Sequence, residues 1–212
     1  MMLLEQLSLA IQRGRAKETV ELVQTGLEQG ISAQELLDQG LLAGMGVVGE
    51  KFKINEVFVP EVLIAARALN KGTELLKARL VAEGVKPIGT IVLGTVQGDL
   101  HDIGKNLVRM MLEGAGFAVV DLGVDVAPER FIAAVREHQP QIVAMSSLLT
   151  TTMGSQRLVM QALEEAGLRK SVKVMVGGAP VTQEFCDEIG ADGYTPDAAS
   201  AADMAKSFVV AA

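Results

Sequence analysis

Cysteine is nearly absent from this sequence of 212 residues, which contains Cys186 alone. A single thiol excludes an internal disulfide and any zinc or iron–sulfur site built from several cysteines. The sequence also lacks a basic run, and its net charge is −7 with a pI of about 4.9. We therefore expect neither a nucleic acid nor an anionic membrane as a partner.

Long hydrophobic segments are missing as well. No stretch approaches the ~20 apolar residues of a membrane span, and the opening MMLLEQLSLA lacks the basic start of a secretion signal. Hydrophobic residues nevertheless make up 49% of the chain and charged residues only 21%, so a core can form and general disorder is excluded. These features predict a cytoplasmic globular protein with one large domain or two small ones.

Residues 1–84 carry apolar side chains at helical spacing and predict an antiparallel bundle of four helices. Ser32 is predicted to begin the third helix, with Glu35 as its partner in a capping box. That helix is predicted to run toward Val48. Pro60 suits the first turn of the fourth helix.

The pattern changes after the bundle, where residues 85–89 are rich in turn formers and are predicted to be a hinge linker. Beyond it, short apolar runs alternate with helical patterns, which is typical of a parallel sheet covered by helices on both faces. Over residues 90–212 this alternation predicts a five-stranded, flavodoxin-like (Rossmann-type) α/β domain, whose ligands bind beyond the carboxyl ends of the strands. The predicted strands are 90–96, 118–122, 142–147, 172–176 and a weak fifth at 193–194.

His101 is the most informative polar residue, because it follows the first predicted strand. Asp99 can accept a hydrogen bond from its Nδ1, which leaves Nε2 free to bind a metal or take a proton. From this segment alone, a histidine that caps the next helix is an open alternative. One histidine without neighbouring thiolates cannot hold a bare zinc ion. It can be the single protein ligand of a metal whose other positions a macrocycle fills.

Glycines and hydroxyl side chains follow the other strand ends. Gly98 and Gly104 flank the histidine, and Gly177 and Gly178 follow the fourth strand. Glycine there serves either a tight turn or the close approach of a ligand to the backbone. Residues 146–152 include five hydroxyl side chains, more than the capping of one helix requires. The common nucleotide fingerprints GxxxxGK[ST] and GxGxxG are absent from the first strand end.

Together these segments resemble the cobalamin-binding family, whose pattern is D-x-H-x-x-G, then S-x-L, then G-G at successive strand ends. The matching segments are residues 99–104, 146–148 and 177–178. With its helical half, the chain resembles the cobalamin module of methionine synthase. It is more similar still to the stand-alone corrinoid proteins of methyltransferase systems.

The resemblance implies a role for each matching residue. His101 is expected to be the lower axial cobalt ligand, in place of the cofactor's own base. Asp99 and Thr152 are expected to act with it in a proton relay, in which methionine synthase has a serine at the position that matches Thr152. Edge packing is an equal alternative for Tyr194. The other expected cofactor contacts are Gly98, Asp102, Ile103, Gly104, Ser146, Leu148, Thr150, Gly177, Gly178 and Tyr194 in the sheet domain, and Phe52 and Val59 in the helical cap.

Three further residues near these segments receive simpler interpretations. Phe58, next to Val59, is expected to fill the core of the bundle rather than to contact the cofactor. Lys105 is expected either to contact a phosphate of the cofactor tail or to be an exposed helix lysine. His138 lies at a predicted helix C-terminus, where a positive imidazole is favourable.

The resemblance also implies a function, that of a methyl carrier. The cofactor is expected to be cobalamin or a related corrinoid, alternating between methylcobalamin and Co(I) cobalamin. The expected partners are one methyltransferase that supplies the methyl group, a second that passes it to tetrahydrofolate or a thiol, and a reductive activase. The chain is thus expected to be a carrier subunit rather than a catalyst alone. A cobalamin-sensing regulator, the small subunit of an adenosylcobalamin-dependent mutase and a flavin-binding flavodoxin are the alternatives.

Overall fold

The computed structural model describes residues 2–210 and divides the chain into two compact units. The first unit reaches Pro87, and the second begins at Ile88 and contains the rest of the chain apart from Gly114–Gly116. The boundary falls inside the segment predicted as a linker. The hinge function of residues 85–89 stays a prediction.

The first unit is helical, as predicted. Its third helix continues past Val48 to Lys53 and contains a π-helical stretch at Leu36–Leu42. Gly40 lies in this stretch and packs so closely on Leu7 of the first helix that a Cβ would overlap the leucine side chain. The helices are α1 (Leu3–Gln12), α2 (Ala16–Glu28), α3 (Ala33–Glu35, Leu36–Leu42 and Ala43–Lys53) and α4 (Val59–Ala82).

The beginnings of α3 and α4 are both capped. Ser32 Oγ accepts a hydrogen bond from the Glu35 backbone amide at 3.1 Å, which satisfies one of the free amides of the first turn. At α4, the Glu61 carboxylate accepts from the Phe58 amide at 3.0 Å, and Pro60 occupies the first turn. These local signals explain why both helices begin where the sequence predicted.

The second unit is the predicted five-stranded parallel sheet. The strand order is β2-β1-β3-β4-β5, the order of flavodoxin-like folds. Strand interiors such as Ile91, Val143 and Val174 are fully buried, because helices cover both faces of the sheet. The strands are β1 (Thr90–Thr95), β2 (Ala118–Asp121), β3 (Ile142–Ser146), β4 (Lys173–Gly177) and β5 (Gly193–Tyr194); the helices are α5 (Ile103–Gly114), α6 (Pro128–His138), α7 (Met153–Glu165), α8 (Gln183–Ile189) and α9 (Ala198–Val210).

The chain order reverses between β1 and β3, which are neighbours in the sheet. The register pairs Thr95 with Ser146 and Ser146 with Gly177, so these three strands end side by side. The loops that follow them therefore meet at the position where open α/β sheets bind ligands. Among residues 2–210, no helix combines the length and the apolar character that crossing a membrane requires.

Candidate functional site

Asp99 joins the two loops that meet between β1 and β3. Its side chain is completely buried. Oδ1 accepts hydrogen bonds from the His101 backbone amide at 3.0 Å and lies 3.1 Å from His101 Nδ1. Oδ2 accepts from the Leu148 amide at 2.7 Å and from Thr152 Oγ1 at 2.8 Å. One carboxylate thus holds the histidine on one side and the loop after β3 on the other.

Burial by itself would raise the pKa of Asp99, since a charged carboxylate loses its hydration. The hydrogen bonds from Leu148, His101 and Thr152 outweigh this and hold the pKa of Asp99 well below its usual value. The group is therefore a permanent anion at neutral pH. It can orient an imidazole through a charge-assisted hydrogen bond.

The His101 side chain is held at one ring nitrogen and is about half exposed. Its backbone carbonyl accepts from the buried Thr95 hydroxyl at 2.9 Å, and its Nδ1 is engaged by Asp99. The carboxylate selects the tautomer with the proton on Nδ1, which leaves a lone pair on Nε2. The side chain is 54% exposed, and within the described part of the chain Nε2 has no hydrogen-bond partner. A ligand above the loop can reach this nitrogen.

Thr152 takes the relay position beside Asp99. Its hydroxyl lies 2.8 Å from Asp99 Oδ2 and 2.8 Å from Ser147 Oγ, and both hydroxyl side chains are buried. A hydroxyl has one hydrogen, and the ionised carboxylate is the stronger acceptor, so Thr152 donates to Asp99 and accepts from Ser147. Sequence reasoning missed Ser147. The concentration of hydroxyls after β3 pointed to the segment, but only the path of the loop turns this one inward.

Exposed apolar side chains lie on the segments next to His101. Leu100, in the loop that carries His101, is 73% exposed, and Ile103, the first residue of α5, is 77% exposed. Leu148 and Leu149 are also exposed, on the neighbouring loop whose amides bind Asp99. A single exposed apolar side chain needs no explanation, but three leucines and one isoleucine on the two segments joined by Asp99 offer a surface suited to a broad apolar group. Of the four, the sequence had singled out Ile103 and Leu148 only.

The glycines at the site divide into two kinds. At Gly178, φ is +132° and a Cβ would overlap the carbonyl oxygen of Ser147, while at Gly98 φ is +84°. Both are required by the fold itself. A Cβ at Gly104 or Gly177 would have nothing within 4 Å. The fold does not demand glycine at these two positions, so they leave room for a ligand beside the strand ends.

The other residues of the second unit that were predicted to contact the cofactor lie on different strands and loops. Ser146 is half-buried at the end of β3, and Thr150 is exposed in the loop that follows. Asp102, next to His101, accepts from the Asn106 side chain at 3.1 Å. Tyr194 is half-buried in β5 and packs against the core of the second unit. None of the contacts described for it joins it to the Asp99–His101 pair.

The predicted cap residues belong to the first unit. Phe52 lies in the last turn of α3 and Val59 is the first residue of α4, and both are half-buried. The prediction that Phe58 fills the core is wrong, because this side chain is 60% exposed. Phe58 is the extended residue immediately before α4, so its side chain leaves the helical face that forms the core.

The expectation that Lys105 is an exposed helix lysine is wrong as well. Its ammonium group is buried and lies 2.7 and 2.6 Å from the two carboxylate oxygens of Asp121, at the end of β2. Arg109 also contacts Asp121 at 3.1 Å. Burial raises the pKa of Asp121. The contacts with Lys105 and the Gly123 amide lower this pKa by more than burial raises it, so it lies below its usual value. The lysine is therefore a structural partner within the fold, and its contact with a phosphate of the cofactor tail stays a prediction.

The donor set fits a metal that arrives inside a macrocycle. Within residues 2–210, histidine, cysteine, aspartate and glutamate side chains nowhere gather in the groups of three that could hold a metal ion. The site offers one oriented imidazole nitrogen, the apolar rim formed by Leu100, Ile103, Leu148 and Leu149, and open space at two glycines. His101 can supply one axial ligand, and the rim can contact the face of a planar ring.

Comparisons with known families agree with this arrangement. One family model described as B12 binding domain matches residues 89–203, and a second with the same description matches residues 3–77. Trimethylamine corrinoid protein 1 of Methanosarcina mazei is 46% identical over 192 residues, covering 90% of this chain and 89% of that protein. Dimethylamine corrinoid protein 2 of Methanosarcina acetivorans is 42% identical over 209 residues, with coverage of 98% and 96%.

Solved structures show the same two-part architecture. The methanol:cobalamin methyltransferase complex MtaBC from Methanosarcina barkeri contains a chain that matches with a TM-score of 0.89 at 34% identity, covering 99% of this chain and 80% of that one. A cobalamin-binding protein from Desulfitobacterium hafniense matches with a TM-score of 0.81 at 35% identity, with coverage of 97% and 98%. The resemblance drawn from the strand-end motifs is confirmed: the chain belongs to the family of B12-binding corrinoid proteins, whose cofactor is cobalamin or a related corrinoid.

Proposed function

We propose that this chain is the methyl carrier of a methyltransferase system and binds its corrinoid with His101 Nε2 as the axial cobalt ligand. The observation that carries the proposal is the Asp99–His101 pair, in which a buried anion holds Nδ1 and leaves Nε2 exposed. When bound, the corrinoid supplies the cobalt that accepts and releases the methyl group. The chain supplies orientation, an electron pair and a shaped surface.

The residues around His101 act through its ring. Asp99 would keep the Nδ1 proton in place and stabilise the partial positive charge that a neutral imidazole gains when Nε2 donates its electron pair to a metal, which strengthens Nε2 as a ligand. Thr152 keeps Asp99 from rotating, because it donates to the oxygen that does not face the histidine. The apolar rim keeps water from the imidazole once a ring lies over it.

The open space at Gly104 and Gly177 supports a second part of the proposal. When the histidine replaces the cofactor's own base, the nucleotide tail of the cofactor needs a separate binding slot. We place it beside the ends of β3 and β4, where Ser146 and Thr150 offer hydroxyl groups and Gly177 offers room, and we expect it to pass Gly104 at the start of α5. Leu148 would contact its apolar parts.

The names of the relatives support a methylated amine as the source of the methyl group, since they include trimethylamine and dimethylamine corrinoid proteins. Selectivity for the donor would reside in a partner methyltransferase. A second methyltransferase would pass the group to tetrahydrofolate or a thiol, and a reductive activase would restore the active cobalt state. Methyl transfer to the loaded chain, assayed with a trimethylamine-specific and a methanol-specific methyltransferase, separates the two donor classes.

Electron paramagnetic resonance of the Co(II) form tests the axial ligand directly. An axial nitrogen splits the cobalt lines into triplets, and the heavy nitrogen isotope changes the triplets to doublets. We expect doublets when only the histidines of the chain carry the heavy isotope and the added cobalamin does not. His101→Ala is expected to bind cobalamin without this splitting.

The chain contains one other histidine, and it provides the matched control. His138 lies at the C-terminus of α6, and His138→Ala should keep the doublets. Triplets in the labelled wild-type protein would mean that the cofactor's own base is still coordinated. That result would overturn the ligand assignment.

A further inference from the structure

The loop after β2 runs beside the end of β1 and is hydrogen-bonded to it. The Thr95 amide donates to the Gly123 carbonyl and the Val126 amide donates to the Thr95 carbonyl, each at 3.0 Å. Val96 and Val126 form a parallel bridge. The sheet pairing of β1 and β2 thus continues past β2 and brings Asp125 beside the loop that carries His101.

Asp125 makes two reciprocal bonds to that loop. Its Oδ1 accepts a hydrogen bond from the Gly98 amide at 2.7 Å, and its own amide donates to the Asp99 carbonyl at 2.9 Å. The first contact fixes the residue before Asp99, and the second fixes Asp99 itself. Asp125 therefore holds the backbone of Gly98 and Asp99, directly before the segment that carries His101.

The backbone at this contact has an uncommon conformation on both sides. Asp125 has φ of +53° and Gly98 has φ of +84°. Residues other than glycine enter this region at a cost, which the surrounding contacts must offset, although aspartate and asparagine tolerate it better than most. A non-glycine residue held in this conformation by two hydrogen bonds indicates a position that the fold specifies closely.

Asp99 is consequently fixed from two directions. The loop after β3 binds its carboxylate through Leu148 and Thr152, and the loop after β2 binds its carbonyl through Asp125. The carboxylate contacts fix the side-chain conformation of Asp99. The backbone contact fixes the position of its main chain.

We propose that Asp125 is a positioning residue that holds the Asp99–His101 pair at the height and angle needed for cobalt ligation. This inference rests on the proposed function of His101. Without the Asp125 carboxylate, Gly98 loses its acceptor and the loop samples other conformations. The imidazole should then spend less time on the metal, although no residue that touches the metal has changed.

Two substitutions separate the hydrogen bond from the backbone conformation. Asp125→Gly removes the carboxylate and relieves the positive φ, so it should fold without strain. Asp125→Asn keeps an oxygen acceptor and tolerates the same φ. Glu164→Ala removes an exposed carboxylate from α7 and serves as the control.

The readouts are the visible spectrum of bound methylcobalamin, which gives the ratio of histidine-bound to histidine-free cofactor, and hydrogen exchange of residues 97–102 in the cofactor-free chain. In Asp125→Gly we expect that ratio to fall about tenfold, the size of effect that one hydrogen bond to a charged group can have, and exchange to accelerate. Asp125→Asn and the control should stay near the wild type.

An unchanged ratio in Asp125→Gly would overturn the proposal, even if the melting temperature falls, because it would show a structural role alone. A loss in Asp125→Asn as large as in Asp125→Gly would overturn the acceptor role of Oδ1. Wild-type protein without any histidine-bound form would contradict the proposed function itself. The exchange measurement needs no cofactor, so it distinguishes that failure from the failure of the Asp125 contact.

Discussion

At the strand ends, neighbouring residues can serve different purposes, one the fold and the other the binding of a ligand. Gly177 and Gly178 are adjacent and both belong to the recognition motif, yet only the second is required by the backbone. At Gly178 a side chain would overlap the Ser147 carbonyl, whereas Gly177 faces open space. Ser147 in turn contacts the Thr152 hydroxyl, which binds Asp99. The packing at Gly178 therefore supports the histidine through three intermediate residues, Ser147, Thr152 and Asp99.

The two glycines should respond differently to alanine. Gly178→Ala is expected to destabilise the protein by about 3 kcal/mol or more, because the added Cβ meets backbone in a φ region that alanine avoids. Gly177→Ala is expected to change stability by less than about 0.5 kcal/mol and to weaken corrinoid binding, since the methyl group would occupy the proposed tail slot. Urea unfolding and cobalamin titration measure the two effects.

The paired design makes this prediction easy to contradict. If Gly177→Ala binds cobalamin as tightly as the wild type, the slot does not pass that residue. If Gly178→Ala is as stable as Gly177→Ala, the close approach to Ser147 is not a constraint in solution.

At the scale of secondary-structure elements, the Lys105–Asp121 pair connects α5 to β2. The N-terminal turn of α5 begins two residues after His101, so a displacement of this turn would also displace the histidine. The lysine is 3% exposed, and Asp121 also binds Arg109 and the Gly123 amide. A buried ion pair adds little net stability over an apolar pair, but removing one partner leaves an uncompensated charge.

Lys105→Met should therefore destabilise the protein by about 3 kcal/mol, and the double variant Lys105→Met with Asp121→Leu should recover only part of the loss, because Arg109 then lacks its contact with Asp121. The unfolding free energies of the two single variants and the double variant form a double-mutant cycle. Lys71→Met breaks the exposed Lys71–Glu74 pair on α4 and should cost less than about 1 kcal/mol. Equal effects of Lys105→Met and Lys71→Met would contradict the structural role of the buried pair.

At the scale of the whole molecule, we expect acid to lower the stability of the second unit. Asp192 lies beside β4 and β5, where its carboxylate accepts from the Val174 amide at 2.8 Å and pairs with Arg169 and Lys173. Burial raises the pKa of Asp192, but these contacts lower it more, so the pKa lies below its usual value. Asp121 has a lowered pKa for the similar reasons given above.

The sign of the pH dependence follows from these shifts. A carboxylate whose folded pKa is lowered contributes stability above its unfolded pKa and loses it as pH falls toward the folded pKa. We expect the unfolding free energy to decrease as pH falls below about 4, the usual range of aspartate. Glu113 acts in the opposite direction, because burial raises its pKa. Urea unfolding at pH 7 and at pH values near 4 and below measures the change.

Asp192→Asn provides the control for this prediction. It removes the titrating group, so the variant should be less stable than the wild type at pH 7 and the difference should shrink in acid. A difference that is constant with pH, or that grows in acid, would contradict the assignment.

Local chemistry made much of the fold predictable. Helical spacing and caps such as Ser32 specified four helices, and alternating apolar runs specified five strands with bounds within a residue or two, because both patterns depend on neighbours along the chain. The strand-end motif likewise named Asp99, His101 and Gly104. The apolar spacing did not predict the π-helical stretch in α3, which contains Gly40 at its close contact with Leu7.

The site is different, because its contacts join residues far apart in sequence. Asp99 binds Leu148 and Thr152 from 49 and 53 residues away, and Gly98 binds Asp125 from 27 residues away. No periodicity predicts which hydroxyl of 146–152 turns toward Asp99, that Lys105 is buried against Asp121, or that Asp125 holds the loop. Composition and order along the chain determined the elements and the family motif. They also gave the expectation that His101 is the metal-binding histidine. The crossover connections of a parallel sheet, which bring distant loops to one edge, decided which side chains surround that histidine.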